Sequence, residues 1–193
     1  MTLDRRTLLL ALGASAGCAT TQANPPTATT TIEPALIEEL HPLSRFLGAW
    51  RGEGFGEPGQ SRVERYYSAV LEGRFIEERN VSTYDPQPAN PQGETHHHVS
   101  YWSFDKARRR FVLRQFHQEG FVNAYVATTP GFVDDMLVLE SEAIENIPAG
   151  WRARETYVIA GDQLEEIFEL AEPGKDLAIC LDVAASELYD KAA

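Results

Sequence analysis

From Trp50 onward the side chains alternate apolar and polar with period two, in short runs separated by turn residues. About ten such runs can be marked, over 49–56, 61–70, 74–84, 94–104, 109–117, 120–128, 132–141, 151–160, 163–171 and 176–185. The joints carry turn chemistry: Glu57-Pro58-Gly59, Glu72-Gly73, Asp105-Lys106, Glu119-Gly120, Pro130-Gly131, Ala149-Gly150, Gly161-Asp162 and Pro173-Gly174. Most joints are short, so sequential strands pair antiparallel. The joint from Asp85 to Gly93 is longer and holds Pro86, Pro88 and Pro91, which makes it a true loop. The pattern predicts an all-β fold, an antiparallel up-and-down ten-stranded barrel. Closure removes the edges that so many short strands would otherwise expose. A two-sheet sandwich is the alternative that the same turn spacing permits.

Upstream the period is helical. Glu33-Pro34 opens a segment in which Leu36, Ile37, Leu40, Leu43 and Leu47 recur every three or four residues, predicting a short amphipathic α-helix that Pro42 divides. Before it, residues 19–32 are rich in Thr, Ala and Pro and read as a tether. Asp4-Arg5-Arg6-Thr7-Leu8-Leu9-Leu10 resembles a twin-arginine export signal. The apolar stretch from Leu8 to Ala16 is too short to span a bilayer. It ends in Ser15-Ala16-Gly17-Cys18, which resembles a lipoprotein cleavage site with Cys18 as the lipidated residue. The expected organisation is an export signal over 1–18, a tether over 19–32 and a barrel over 33–193. The expected address is the bacterial periplasm or a membrane facing it, with membrane contact only through the N-terminal lipid.

The balance of 17 Lys+Arg against 29 Asp+Glu gives a formal charge of −12 over 193 residues, which excludes nucleic acid as a natural partner. Gly-rich phosphate loop, nucleophile elbow and zincin motif are all missing, so the sequence carries no case for hydrolysis or phosphoryl transfer. What it does carry is a set of residues suited to line a barrel. Strand aromatics such as Trp50, Tyr67 and Tyr101 can fill the core or line an apolar pocket. Arg65, Arg114, Arg152 and Arg154 lie within strands, where an inward guanidinium could meet a ligand and an outward one would join a cross-strand pair. Arg154 is taken as the ligand-binding candidate. Glu77-Glu78 and Glu165-Glu166 each place one carboxylate on either face.

His96-His97-His98 lies on the fourth run, and alternation puts His96 and His98 on one face with His97 on the other. His117 ends the fifth run and meets the start of the fourth if the two form a hairpin. These three imidazoles, with Cys180, are the candidate metal ligands; the alternative is a polar surface cluster. Which parity faces inward is open, since Val99 and Tyr101 compete with Trp102 and Phe104 for the core.

The run Leu43-Ser44-Arg45-Phe46-Leu47-Gly48-Ala49-Trp50-Arg51-Gly52-Glu53-Gly54 resembles the opening of the nitrobindin-type haem-binding barrels and of related bacterial lipocalin-like domains. Leu71-Glu72-Gly73-Arg74-Phe75-Ile76 resembles a hairpin of the latter group. Arg154-Glu155-Thr156-Tyr157, Gly161-Asp162-Gln163-Leu164-Glu165 and Glu169-Leu170-Ala171 resemble the penultimate hairpin of both. The resemblance implies a ten-stranded fatty-acid-binding-protein-like barrel. In nitrobindins it also implies haem on a histidine of the last strands that is followed by Leu. Here Cys180-Leu181 stands at that place, and His117 is the last histidine of the chain. The leading expectation is a barrel that binds a small hydrophobic or amphipathic molecule through Trp50, Tyr67, His96, His98, Tyr101, His117 and Arg154. The alternatives are a nitrobindin-like haem barrel acting on nitrogen oxides or peroxynitrite, and a filled barrel with a structural role. Cofactor and oligomeric state are left open.

Overall fold

The computed structural model describes residues 34–188. The export signal, the tether and Cys18 lie outside the described residues. The described chain is a 3₁₀ helix, Glu38–Phe46, followed by ten strands: β1 Gly48–Gly56, β2 Gly59–Val70, β3 Phe75–Tyr84, β4 Glu94–Asp105, β5 Arg110–His117, β6 Val122–Ala127, β7 Met136–Glu145, β8 Arg152–Ala160, β9 Gln163–Ala171 and β10 Ala178–Leu188. Every strand pairs antiparallel with its sequence neighbours, and β10 returns to β1, so the sheet is closed. The barrel reading therefore holds and the sandwich does not.

Two local expectations change. The helical segment is one continuous 3₁₀ helix with Pro42 inside it, rather than an α-helix in two pieces. Its buried residues, Leu40, Leu43 and Phe46, are three apart, which is the period of a 3₁₀ turn, so one edge of the helix seals the barrel. The run expected over 132–141 begins instead at Met136. Asp134 and Asp135 both take positive φ (50° and 63°), making a tight turn in which Val133 pairs back to Met136.

The helix plugs one end. Phe46 lies between Tyr67, Trp102 and Tyr157, with ring centroids 5.3, 5.1 and 5.6 Å away. The buried Trp50 indole donates to the Phe46 carbonyl at 2.7 Å and ties the helix to β1. Leu113, Leu137, Leu139, Ile159, Leu164 and Val183 complete this apolar layer. Parity is now settled: on β2 Ser61, Val63, Arg65, Tyr67 and Ala69 point inward, and on β4 His98, Ser100 and Trp102 do so.

Closure depends on a close approach of β1 to β10. A Cβ at Gly52 would stand 1.9 Å from the Ala184 carbonyl oxygen, and one at Gly56 2.2 Å from that of Cys180. A backbone carbonyl cannot swing aside as a side chain can. Gly52→Ala should lower unfolding stability by about 1–3 kcal/mol in chemical denaturation, as overpacking does. Gly131→Ala, with nothing within 4 Å of the new Cβ, should change it by less than about 0.5 kcal/mol. Equal effects at the two sites would contradict the closed seam.

Candidate functional site

Above the apolar layer the interior turns polar, because strand parity carries charged residues inward at one level. Arg65 from β2, Glu78 and Asn80 from β3, Glu155 from β8 and Glu166 from β9 are all buried. Burial of so many polar groups requires mutual pairing. Arg65 forms an ion pair with Glu166 and donates from Nε to Asn80 Oδ1 at 2.9 Å, with Glu78 3.8 Å away. Asn80 passes the chain on to Ser82 Oγ at 3.1 Å. Glu78 accepts from Tyr67 OH at 3.0 Å and from Trp102 Nε1 at 3.4 Å.

The two ends of this network titrate in opposite directions. Burial works against ionisation of Glu78, but the hydrogen bond and charge of His98, then Arg65, outweigh it and hold the carboxyl at about 2. Glu155 is pushed well above the usual carboxylate range, first by burial and then by the Glu166 carboxylate. A side-chain hydrogen bond between Glu155 and Glu166 acts in the same direction. Glu155 Oε1 lies 3.5 Å from Tyr125 OH, which in turn accepts from Asn123 Nδ2 at 3.1 Å.

The open end of the barrel holds a cavity of about 370 Å³ resting on this layer. One wall is apolar, built by Phe121, Ile144, Phe168, Leu170 and Leu181; the other is polar and carries His96, His98 and His117. His98 sits opposite His117 in the β4–β5 register, and His96 follows two residues along on the same face. Nε2 of His96 and Nδ1 of His117 are 3.4 Å apart. Burial, then the charges of His98 and His96, lowers the His117 pKa to about 4, so this imidazole is neutral at physiological pH and one of its two nitrogens is available as an acceptor or ligand.

The other residues singled out from sequence lie elsewhere. Trp50 and Tyr67 are in or beside the apolar plug and do not line the cavity. Tyr101 has the opposite parity to the cavity residues, and its hydroxyl donates to Glu77 at 2.8 Å. Arg154 is half-exposed and paired with Glu140 and Glu169 at 3.1 and 3.6 Å. Cys180 reaches the cavity rim but is not among the clustered histidines. Sequence reasoning did not select Arg65, Glu155 or Glu166 as site residues. The signal was there: Val63 and Tyr67 share Arg65's parity, and Ala153 and Tyr157 share that of Glu155.

Haem, which the nitrobindin resemblance implies, needs an iron ligand and an apolar slot for the macrocycle. The β10 position offers Cys180, whose thiol is pushed up in pKa by burial and then by Glu57, whereas the ligating form is the thiolate. The wall facing the apolar side carries Asn80, Ser82, Gln115 and Asn123 besides the histidines, and the buried Gln115 Oε1 has no partner. These residues do not fit a haem held from the last strand.

Glu155 provides a direct test of the polar layer. Its folded pKa is raised above the ordinary 4.5. Above pH 4.5 the unfolded chain therefore releases a proton that the folded chain keeps, and stability falls with rising pH until the folded pKa is passed. Glu155→Gln removes that dependence. Denaturant titrations from pH 4.5 upward should show the variant gaining on the wild type as pH rises; a constant difference would mean that Glu155 is ionised in the fold.

Residues 39–186 match the model of the THAP4-like, heme-binding beta-barrel domain. No curated protein sequence matches the chain. Among solved structures, the chain is similar to the crystal structure of Rv2717c from M. tuberculosis, at 20% identity with a TM-score of 0.62, over 80% of this chain and 99% of that one. That likeness concerns the fold, and it agrees with the ten-stranded closure described above. With the family model spanning the helix and all but the last residues of β10, the chain belongs to the THAP4-like heme-binding beta-barrel family.

Proposed function

We propose that this barrel binds a small amphipathic molecule in the open-end cavity, with its apolar body against Phe168, Leu170 and Leu181 and its hydrogen-bonding end toward the histidine wall. The observation that carries this reading is the meeting of apolar and polar lining residues around one cavity at the open end. An apolar wall with a few convergent polar groups is the usual make-up of a small-molecule pocket. The polar end is uncharged rather than a carboxylate. Arg65 is paired with Glu166 and has Glu78 3.8 Å away, so its charge is already opposed and its Nη1 is left as a donor at the cavity floor.

Organic extraction of the purified protein followed by mass spectrometry should release a bound amphipath. The neutral fluorophore N-phenyl-1-naphthylamine should bind at one equivalent and be displaced by the extract. Phe168→Gln should weaken the fluorophore by about tenfold, a loss of about 1.4 kcal/mol, with the fold checked by thermal melting. Hemin titration is the contrary test. A sharp Soret band that saturates at one equivalent and vanishes in a histidine variant would replace this reading with haem binding, the ligand then coming from the β4–β5 wall.

The N-terminal signals support a second, separate proposal: export by the twin-arginine route and lipid attachment at Cys18. Cells fed labelled palmitate should label the wild-type chain and not Cys18→Ala, and Arg5→Lys with Arg6→Lys should retain the precursor in the cytoplasm. Equal labelling of both chains, or export of the double variant, would overturn it.

A further inference from the structure

The histidine wall has an organisation that the binding of an apolar molecule does not require. One ring nitrogen from each of His96, His98 and His117 lies within 4.8 Å of the others, the one such cluster of three histidines among the described residues. One pair, His96 Nε2 and His117 Nδ1, is 3.4 Å apart. Nitrogens bound to one tetrahedral zinc at about 2.0–2.1 Å stand about 3.3–3.4 Å from each other. The spacing is thus that of two ligands of a common ion.

Two of the three rings are also held from behind by a carboxylate. The second nitrogen of His96, Nδ1, is 2.8 Å from Glu119 Oε1. Nε2 of His98 is 3.4 Å from Glu78 Oε1, whereas Nε2 of His117 faces the Asn123 amide nitrogen, itself a donor, at 3.3 Å. A partner on the outer nitrogen fixes the ring and directs the inner nitrogen to a metal, as in most histidine metal sites. His97, with the opposite parity, is outside the arrangement. The rings face the cavity, so a fourth coordination position is open toward it.

We propose that His96, His98 and His117 form a three-histidine site for one divalent first-row transition ion such as Zn²⁺, with a coordination position open to the cavity. Glu119 and Glu78 are its positioning residues. Three imidazole nitrogens suit zinc, copper, nickel or ferrous iron far better than calcium or magnesium, which take oxygen ligands. This inference goes beyond the apolar-ligand reading and does not depend on it.

The test is titration of the metal-free full-length chain with Co²⁺, followed by its visible ligand-field bands. One Co²⁺ per chain should bind with the intense bands of a four- or five-coordinate site, and one equivalent of Zn²⁺ should abolish them. His96→Ala, His98→Ala and His117→Ala should each weaken Co²⁺ by at least tenfold. Glu119→Gln should also weaken it, by about tenfold, as loss of an outer partner does. His97→Ala and Cys180→Ala should leave affinity and spectrum unchanged, and azide should shift the bands by entering the open position. Thermal melting establishes that each variant is folded.

Weak octahedral-type bands, unchanged affinity in folded variants of the three histidines, or an equal loss in His97→Ala would overturn the site. An azide-insensitive spectrum would overturn the open position. Retained fluorophore binding in a variant that has lost Co²⁺ would keep the two readings apart.

Discussion

Everything in this molecule depends on the seam between β1 and β10. Once β10 lies against β1, the sheet has one inside and one outside, and a single parity on each strand becomes interior. The seam is possible because Gly52 and Gly56 let the β10 carbonyls of Ala184 and Cys180 approach where a Cβ would stand. The helix then seals one end through Leu40, Leu43 and Phe46, and leaves the opposite end open. A closed end and an open end make a cup rather than a filled cylinder.

Closure also forces a problem that the interior must solve. The inward parity carries Arg65, Glu78, Glu155 and Glu166 into one buried layer, where isolated charges are very costly. The solution is an ion pair of Arg65 with Glu166, Glu78 close by, and a Glu155 carboxyl whose pKa is pushed up by burial and by Glu166. The layer is therefore held by pairing that removing one member would leave uncompensated. It separates the apolar plug from the cavity and gives that cavity a polar floor. The same parity sets His96 and His98 above the floor, where His117 joins them across one strand pair.

Much of the fold was legible in the chain. Nine of the ten strand runs fall within a few residues of the observed strands, because period-two alternation and Gly- or Pro-containing joints are local signals. The start of β7 was displaced, since its turn uses Asp134-Asp135 in left-handed conformations rather than the preceding Pro130-Gly131. The helix type was missed because spacings of three and four coexist in Leu36 to Leu47. Packing on a barrel end, not propensity, selected the three-residue edge. At the site, the histidines could be flagged by residue type. Arg154 and Tyr101 were equally plausible beside them until parity was known.

The sequence by itself determined that the chain is a run of about ten short antiparallel strands with a helix before them, that His96 and His98 share a face, and that the formal charge is −12. These are local or summed properties, readable from alternation, turn chemistry and composition. Only the tertiary structure decided that the histidine face is the inner one, that Arg65 rather than Arg154 is buried, and that His117 stands 3.4 Å from His96. The reason is physical. A two-residue period is unchanged when a strand is turned over, so a strand alone cannot say which face is in. Register and closure with its neighbours break that symmetry, and they are made by residues far apart in the chain.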